Sequence, residues 1–379
     1  KRGGRRLPSA TSDPEEMTRN YLRLALVLGL ITAVGPFAID MYLPALPTIG
    51  AALGASPAAV QLTLSVYFIT VGVCQPVFGP MSAIFGRKAP IYAGLAIFIA
   101  GSIGCALAPN IETLIFFRSV QALGSCAGMV APRAIVRDLH TGAEAAKLMG
   151  LLMLVFSTSP ILAPLTGSLI ISAFGWRAVF WAITAAAVLA LFLAVTQLKE
   201  TRPAHMRADS TWRTILRSYR ALLADPMFLG LAFVSAFGIS AFFVYLANAS
   251  FVIIGHFGLT TTQFSLCFAL NAVAFIGAGQ FAGRISARLG LARVVRAAGI
   301  GFAVATAALA AVVAAGFGGL PAIMGLLFVG YAFLGLVLPT SSVLAMERHG
   351  DKAGAASAML GCIQMVVGSA CMGMTAFFS

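Results

Sequence analysis

Residues 79–90 read GPMSAIFGRKAP, a short turn that separates two long apolar runs. The turn carries two adjacent cations, Arg87 and Lys88, and no acidic residue stands near them in the sequence. The flanking runs, at 57–83 and 89–108, are long enough for a helix to cross the hydrocarbon core of a bilayer, which takes about 20 residues. The stretch therefore predicts two membrane-spanning helices joined by a tight, positively charged connection.

The same pattern of apolar runs and short polar connections continues along the whole chain. Of its 379 residues, 60% are hydrophobic and only 10% are charged, whereas soluble domains carry about 25% charged residues. We predict an all-α membrane protein with about eleven spans. The predicted spans are 21–46, 57–83, 89–108, 111–138, 146–172, 176–197, 227–254, 262–288, 293–315, 320–345 and 354–378.

A weak internal repeat indicates that the chain consists of two related halves. The sequence after the eighth span, GQFAGRISARLG at 279–290, resembles the turn at 79–90 in placing small residues at a helix end and cations behind them. Duplicated halves are common in secondary transporters. Because two such halves imply an even number of helices, we expect a twelfth helix beyond Ser379.

The Lys and Arg residues predict how the chain lies in the membrane. The net charge is +13, and nearly all of the 25 cations fall on alternate connections between the spans. Because cytoplasmic loops are enriched in Lys and Arg, the N-terminus is predicted to be cytoplasmic. The same distribution argues against nucleic acid as a partner, since the cations form no basic face on a soluble domain.

The longest connection, 198–226, divides the chain into two parts. We predict a cytoplasmic tail at 1–20, a six-helix bundle at 21–197, and a C-terminal bundle at 227–379 that lacks its last helix. Within the connection, apolar residues recur at helical spacing, and cations lie on the other face. The apolar set is Trp212, Ile215, Leu216, Tyr219, Leu222 and Leu223, and the cations are Arg213, Arg217 and Arg220. This pattern fits either an amphipathic helix on the inner leaflet or a solvated linker helix.

Two ionisable residues fall at bilayer depth, where charge is costly and is therefore usually functional. Asp40 lies in the first span, and is either a proton-binding site or a residue solvated at the outer mouth. Arg118 lies in the fourth span and keeps its charge at any accessible pH. It needs acceptors in the bundle interior, and the alternative to a functional role is a helix clamp on backbone carbonyls. Glu112 and Asp225 lie near helix ends, where Asp225 precedes Pro226 as a helix cap.

Further polar and aromatic side chains are candidates for the lining of a central cavity, although each could equally be an ordinary contact between helices. These candidates are Phe37, Tyr42, Gln61, Tyr67, Gln121, Ser125, Tyr245, Asn248, Asn271 and Gln364. In the fifth span, Pro160, Pro164 and Gly167 predict a bend and close helix contact, as a pivot between two moving halves would need. No metal site is predicted, since the four His residues lie apart.

Five motifs together indicate a family. They are AIDMYLPALPTI at 38–49, GPMSAIFGRK at 79–88, RSVQALGSCAG at 118–128, SPILAPLTG at 159–167 and DKAGAASAMLGCIQ at 351–364. They resemble the drug:proton antiporters of the major facilitator superfamily, and in particular the Bcr/CflA group of bacterial efflux transporters. The resemblance implies a two-bundle fold and links Asp40 and Arg118 to proton coupling and cavity electrostatics. One departure is that the family has Asp where this chain has Ala83, and Arg where it has Ile84.

In the family, the turn after the second helix takes part in gating through that acid. The corresponding residues here are Gly79, Ala83, Gly86, Arg87 and Lys88. With Ala83 in place of the acid, we expect Arg87 and Lys88 to lack an acidic partner. We also expect the cytoplasmic gate to close less firmly.

The resemblance implies proton-coupled export of amphipathic small molecules or drugs across the bacterial inner membrane, such as bicyclomycin, chloramphenicol-like compounds or sulfonamides. We expect a monomer that needs no cofactor, with the proton as coupling ion. The missing loop acid keeps a second hypothesis open, a facilitator or importer of a metabolite such as an amino acid or dipeptide, without strict proton coupling. A receptor or a membrane enzyme is the third, but the sequence has no HExxH, GxSxG or phosphate-binding loop to support an enzyme.

Overall fold

A computed structural model describes residues 14–139, 142–202 and 212–375, and the regular structure in these ranges is helical. We number the α-helices in chain order. They are α1 (Pro14–Asp40), α2 (Leu46–Leu53), α3 (Pro57–Ile84), α4 (Lys88–Leu107), α5 (Ile111–Leu139), α6 (Gly142–Phe174), α7 (Arg177–Gln197), α8 (Trp212–Leu223), α9 (Pro226–Ser250), α10 (Thr261–Leu289), α11 (Leu291–Ala314), α12 (Leu320–Met346) and α13 (Ala353–Thr375). Residues 1–13 of the predicted tail and 203–211 of the predicted long connection lie outside the described residues.

Eleven helical segments among the described residues are long and apolar enough to cross a membrane. They match the predicted spans in order and agree with most of their limits to within a few residues. The exception is the end of the first span, where α1 ends at Asp40 and a 3₁₀ turn at Leu43–Ala45 leads into α2. The single helix predicted at 21–46 is wrong there because Pro44 and Pro47 lack the backbone N–H that a continuous helix needs.

The helices pack in two groups that meet along two helix pairs. In the first group, α1 packs against α5, α6 and α7, α3 packs against α5, and α4 packs against α5 and α7. In the second, α9 packs against α12 and α13, while α10, α11 and α12 pack against one another. Between the groups, α3 contacts α13 and α6 contacts α10. The first group and the second group therefore enclose a space between them.

Successive connections alternate between two ends of the molecule. One end, which we call the basic face, carries the start of α1 and the connections that follow α3, α5, α7, α8, α10 and α12. The other end, the opposite face, carries those that follow α2, α4, α6, α9 and α11. Arg87, Lys199, Arg213 and Arg288 belong to the basic face, whereas Arg177 belongs to the opposite face. The alternation of cations in the sequence thus becomes a difference in charge between the two ends.

Helix α8 lies at the basic face and packs against the second group. Tyr219 and Leu222 are buried in a cluster with residues of α9, α12 and α13, whereas Leu216 and Leu223 remain exposed. The Tyr219 hydroxyl donates to the carbonyl of Pro76 in α3, at 2.8 Å. That carbonyl lacks its usual helical partner because the residue four positions on is also a proline. The predicted helix is therefore present. It packs against the second group through part of its apolar face, and the rest of that face stays exposed.

Candidate functional site

A cavity of about 980 Å³ lies between the two groups of helices. Residues of α1, α3, α5 and α6 line it from one side, and residues of α9, α10, α12 and α13 line it from the other. It extends from Asp40 to the basic face, where its lining includes Ala83, Arg87, Thr214 and Gly354. Sites for small molecules occupy roughly 300–1,000 Å³. The cavity is therefore large enough for a small organic ligand.

Much of the cavity wall is aromatic. The Phe242 ring stacks on Phe275 with 5.9 Å between centroids, and lies 6.3 Å from Phe243. Phe243 in turn stacks on Phe68 of the first group at 4.1 Å. The wall also contains the flexible side chains of Met129, Met149, Met346 and Met365. Aromatic faces and thioethers adapt to apolar ligands of varied shape.

Asp40 is the only acid among the described residues that line the cavity. It is 5% exposed, and its Oδ2 accepts a hydrogen bond from the Ser159 hydroxyl at 2.9 Å. Helix α6 places Ser159 directly before Pro160, which also lines the cavity. In the described part of the chain, Asp40 forms no ion pair. A neutral donor therefore holds the carboxyl at the cavity wall.

Arg118 of α5 is fully buried between two aromatic rings. Its guanidinium carbon lies 4.6 Å from the ring centroid of Tyr42 and 4.4 Å from that of Tyr67. Its Nη1 donates to the carbonyl of Ala38 at 3.1 Å and to Oε1 of Gln121 at 2.6 Å. Its Nε and Nη2 have no hydrogen-bond partner within the described structure. The two cation–π contacts and the two hydrogen bonds thus compensate part of what the charge loses by leaving water.

Arg118 binds to α1 close to Asp40, but its guanidinium does not contact the Asp40 carboxylate. The acceptor carbonyl of Ala38 lies two residues before Asp40, and the Asp40 carboxylate bonds to α6 instead. Tyr67 connects the buried cation to the cavity, since its ring contacts Arg118 and also lines the cavity. The roles of Asp40 and Arg118 in proton coupling and cavity electrostatics stay predictions.

Contacts between the two groups close the cavity toward the opposite face. Gln61 Nε2 donates to Asn248 Oδ1 at 3.0 Å, and Asn248 Nδ2 donates to Thr375 Oγ1 at 3.2 Å. We call these three residues the Gln61–Asn248 cluster. Nearby, the Ser265 hydroxyl donates to the carbonyl of Pro164 at 2.8 Å. The Gln61–Asn248 and Ser265–Pro164 bonds join the first group to the second. The two groups can separate at this end only if these bonds break.

The predicted cavity candidates fall into two sets. Tyr67 and Gln364 line the cavity. The others pack between helices, and are Phe37, Tyr42, Gln61, Gln121, Ser125, Tyr245, Asn248 and Asn271. Several of the second set make ordinary hydrogen bonds, as when Asn271 donates to the Tyr245 hydroxyl at 3.0 Å and Ser125 donates to a carbonyl of its own helix.

The turn at 79–90 does have acidic partners, so the expectation that Arg87 lacks one is wrong. Arg87 Nε and Nη2 donate to Oδ2 and Oδ1 of Asp138 at 2.7 and 3.1 Å. The Glu200 carboxylate accepts from the backbone N–H of Arg87 at 2.9 Å and of Lys88 at 3.2 Å. Asp138 lies in the last turn of α5, and Glu200 follows α7. Both acids therefore reach the turn through folding, and Glu200 also complements the dipole at the start of α4.

The residues predicted as a gating turn occupy two environments. Gly79 and Ala83 line the cavity. Gly86 forms the turn itself with φ of +90°, which Gly adopts without the strain that a side chain would cause. The Lys88 ammonium lies 5.4 Å from the ring centroid of Tyr92. The gating role of this turn stays a prediction.

Helix α6 contains the predicted pivot and contacts the second group. Pro160 and Pro164 lie inside a single described α-helix, and Pro160 lines the cavity. A Cβ on Gly167 would collide with the backbone carbonyl of Met41. Glycine is therefore required for this close approach of α6 to the end of α1. Whether α6 acts as a pivot stays a prediction.

Sequence reasoning missed three residues of these sites. Ser159 could have been found from the sequence, because it is a hydroxyl residue beside Pro160 in the motif SPILAPLTG. The sequence indicates Asp138 and Glu200 only weakly. They are acids at helix ends, on the side of the membrane where Arg87 is also predicted to lie. No local pattern pairs them with a turn that is 51 and 113 residues away.

The fold is that of a multi-pass membrane protein with two helical bundles, and the family match places the chain among transporters and not among enzymes. The chain matches the Major Facilitator Superfamily over residues 28–372 and belongs to that family. It is 35% identical to the uncharacterized MFS-type transporter YdgK of Bacillus subtilis, over 93% of this chain and 88% of that protein. It is 30% identical to the bicyclomycin resistance protein homolog of Haemophilus influenzae, over 91% of this chain and 86% of that protein.

Solved structures show the same fold. The crystal structure of a D-xylose-proton symporter superimposes with a TM-score of 0.75 at 16% identity, over 94% of this chain and 89% of the other. The predicted relation to drug-resistance proteins of the Bcr/CflA type is confirmed, and so is the predicted two-bundle fold.

Proposed function

We propose that the protein exports amphipathic small molecules across the bacterial inner membrane in exchange for protons. The observation that carries this proposal is the position of Asp40, a buried acid at the wall of an aromatic cavity that extends to the basic face and is closed at the opposite face. In an antiporter, proton binding and substrate binding alternate, so both must act on the same site. Asp40 is the only acid among the described lining residues, and it meets that requirement.

The distribution of charge supports the proposed direction. Because cations mark cytoplasmic connections, we assign the basic face to the cytoplasm. The cavity then admits substrate from the cytoplasm or the inner leaflet. Opening at the opposite face would require breaking the Gln61–Asn248 cluster, after which substrate leaves and a proton enters. One chain encloses the whole cavity, so a monomer is sufficient for this cycle.

The surroundings of Asp40 are suited to reversible protonation. Its hydrogen-bond partner is the neutral hydroxyl of Ser159, so the carboxyl can take up a proton without breaking an ion pair. The cation of Arg118 is held separately between Tyr42 and Tyr67, with two of its nitrogens unbonded. A shift of α1 relative to α5 would let this cation stabilise the ionised carboxylate, which would link protonation to helix movement.

The aromatic wall supports the proposed substrate class. Stacked Phe rings and methionines favour planar apolar groups, while Gln75, Gln364 and Arg133 add polar groups to the lining. A relative at 30% identity is named for bicyclomycin resistance. We therefore propose amphipathic drugs of the bicyclomycin or chloramphenicol type as the first compounds to test.

Transport in everted membrane vesicles tests the coupling. With the wild type, an acidic vesicle lumen should drive accumulation of substrate, and adding substrate should release protons from the lumen. Asp40→Asn should reduce both signals to background, because the amide cannot bind a transferable proton. Glu112→Gln is the matched control, since Glu112 is exposed at the start of α5, outside the cavity. Proton-driven efflux that survives Asp40→Asn would refute the assignment.

A second candidate is a metabolite facilitator without strict proton coupling. It is favoured by Ala83, which lines the cavity where the family has an acid. In that case substrate flux should continue after an uncoupler collapses the gradient, whereas export by an antiporter should stop. A resistance profile in a host deleted for its own efflux pumps would separate drugs from metabolites as substrates.

A further inference from the structure

A second cavity, of about 650 Å³, lies at the basic face within the first group of helices. It is formed by the start of α1, the end of α5 and the end of α7 with the residues that follow. It shares no lining residue with the large cavity between the groups. It is therefore a separate site, placed where the helices reach the membrane surface.

The lining of this second cavity is divided into a charged rim and an apolar floor. Arg23 and Lys199 stand at the rim, and both are exposed. The floor contains Val27, Ile135 and Leu198, which are all buried. The lining is completed by Leu24, Leu139, Thr196, Gln197 and Thr201. This arrangement matches a molecule that has a negative head and an apolar body.

The two rim cations are free to bind an anion. Within the described part of the chain, neither Arg23 nor Lys199 forms a hydrogen bond or an ion pair through its side chain. Two acids close to the lining of this cavity are engaged elsewhere. Glu200 accepts from the backbone of the Arg87 turn, and Asp138 binds the Arg87 guanidinium.

We propose that this cavity binds an anionic phospholipid of the adjacent leaflet. The phosphate lies between Arg23 and Lys199, and an acyl chain follows the apolar floor toward the lipid-facing side. Leu26 and Leu139, which are 70% and 47% exposed, continue the apolar surface from the cavity into the bilayer. Basic pockets between transmembrane helices on the cytoplasmic side are typical binding sites for anionic head groups.

The bound lipid would touch the network that holds the α3–α4 turn. Thr201 lines the second cavity, and its hydroxyl donates to Asp138 Oδ2 at 3.1 Å. The same Asp138 oxygen accepts from Arg87 Nε at 2.7 Å. An anionic lipid at this site should therefore stabilise the end of α5 and, through it, the α3–α4 turn.

Lipid binding to the purified chain tests the proposal. Wild type and the double variant Arg23→Ala/Lys199→Ala are compared by native mass spectrometry and thermal unfolding, with added phosphatidylglycerol or phosphatidylcholine. Wild type should bind phosphatidylglycerol preferentially and unfold at a higher temperature with it. Each cation at a membrane surface is worth about fivefold in binding, so the double variant should bind roughly 30-fold more weakly.

Further comparisons decide the outcome. The control Arg213→Ala/Arg217→Ala removes the same charge from the exposed side of α8, and should keep the preference. Arg23→Lys/Lys199→Arg should keep it as well, and serves if the alanine variant does not fold. The proposal is overturned if the alanine variant keeps the preference for phosphatidylglycerol, or if the α8 control loses it equally. It is also overturned if free glycerol phosphate has the same effect as the lipid.

Discussion

Arg87 and Asp138 form a two-point ion pair, with Arg87 Nε and Nη2 at 2.7 and 3.1 Å from the two carboxylate oxygens. The pair joins the α3–α4 turn to the end of α5. The Arg87 Nη1 also donates to the carbonyl and hydroxyl of Ser82 at 3.2 and 3.0 Å. A cation that the sequence shows without a partner is thus a fixed structural element of the basic face.

Asp138→Asn should destabilise the protein by about 1–3 kcal/mol. The change removes the charged acceptor of Arg87 while that side chain remains 9% exposed, so the cation loses its partner without regaining full hydration. Thermal unfolding in detergent should show a lower transition temperature. The matched control is Glu347→Gln, at an exposed acid of the same face, which should change stability by less than about 0.5 kcal/mol. Equal transition temperatures for Asp138→Asn and wild type would contradict this role for the ion pair.

Ala83→Asp should shift the protein toward the state that is closed at the basic face. Ala83 lines the cavity near that face, so an acid there can attract cations or helix N-termini from the second group as the groups approach. Distances between spin labels across the basic face should shorten. Ala83→Asn has nearly the same size without the charge, and should leave them unchanged. Unchanged or longer distances in Ala83→Asp would argue against a gating role for this position.

The fold could be predicted because its signals are local. Spans are read from runs of apolar residues, and the faces are read from alternating cations, so the order of the helices follows from the sequence. The first span was misjudged at its end because two prolines interrupt a run that remains apolar. Pro44 and Pro47 change the backbone without changing the hydropathy that marked the span.

The site was only partly predictable because its contacts are tertiary. Asp40 and Arg118 could be selected since a charge at bilayer depth is unusual. Their actual partners, Ser159 for the acid and two tyrosine rings for the cation, come from other helices. Most of the uncharged candidates pack between helices because a polar side chain in a span signals a hydrogen bond without saying whether a cavity lies beside it.

The contact between α9 and the connection after α12 should depend on pH. The backbone N–H of Met227, together with His349, holds the pKa of Asp225 below its ordinary value. His349 Nε2 lies 2.8 Å from Asp225 Oδ2. Because the folded state has the lower pKa, this contribution is complete above the ordinary pKa of an aspartate, about 3.9, and is lost as pH falls through the lowered value.

Hydrogen exchange measures this dependence directly. Amides of Glu347–Lys352 should keep constant protection from neutral pH down to about 4 and lose it in stronger acid, after correction for the intrinsic exchange rate. Asp225→Asn cannot ionise, so its protection should be weaker but independent of acidification. Loss of protection between pH 7 and 5 that persists in Asp225→Asn would assign the effect to another group.

Asn248→Ala should favour opening at the opposite face. Asn248 accepts from Gln61 and donates to Thr375, so the alanine removes one of the polar links between the two groups at that end. Hydrogen bonds between transmembrane helices are worth about 0.6 kcal/mol on average and up to about 1.7, which corresponds to a shift of roughly 3- to 20-fold in the population of the two states. Labelling of a cysteine introduced near residue 61 should become faster by a similar factor.

The control for this change is another asparagine that forms a hydrogen bond between helices. Asn271 donates to the Tyr245 hydroxyl within the second group, so Asn271→Ala removes a comparable bond that does not cross between the groups. It should lower thermal stability without changing the labelling rate. If both variants increase labelling equally, the effect is general loosening of the bundle. If only Asn248→Ala does, the Gln61–Asn248 cluster is a closing contact that must break in each transport cycle.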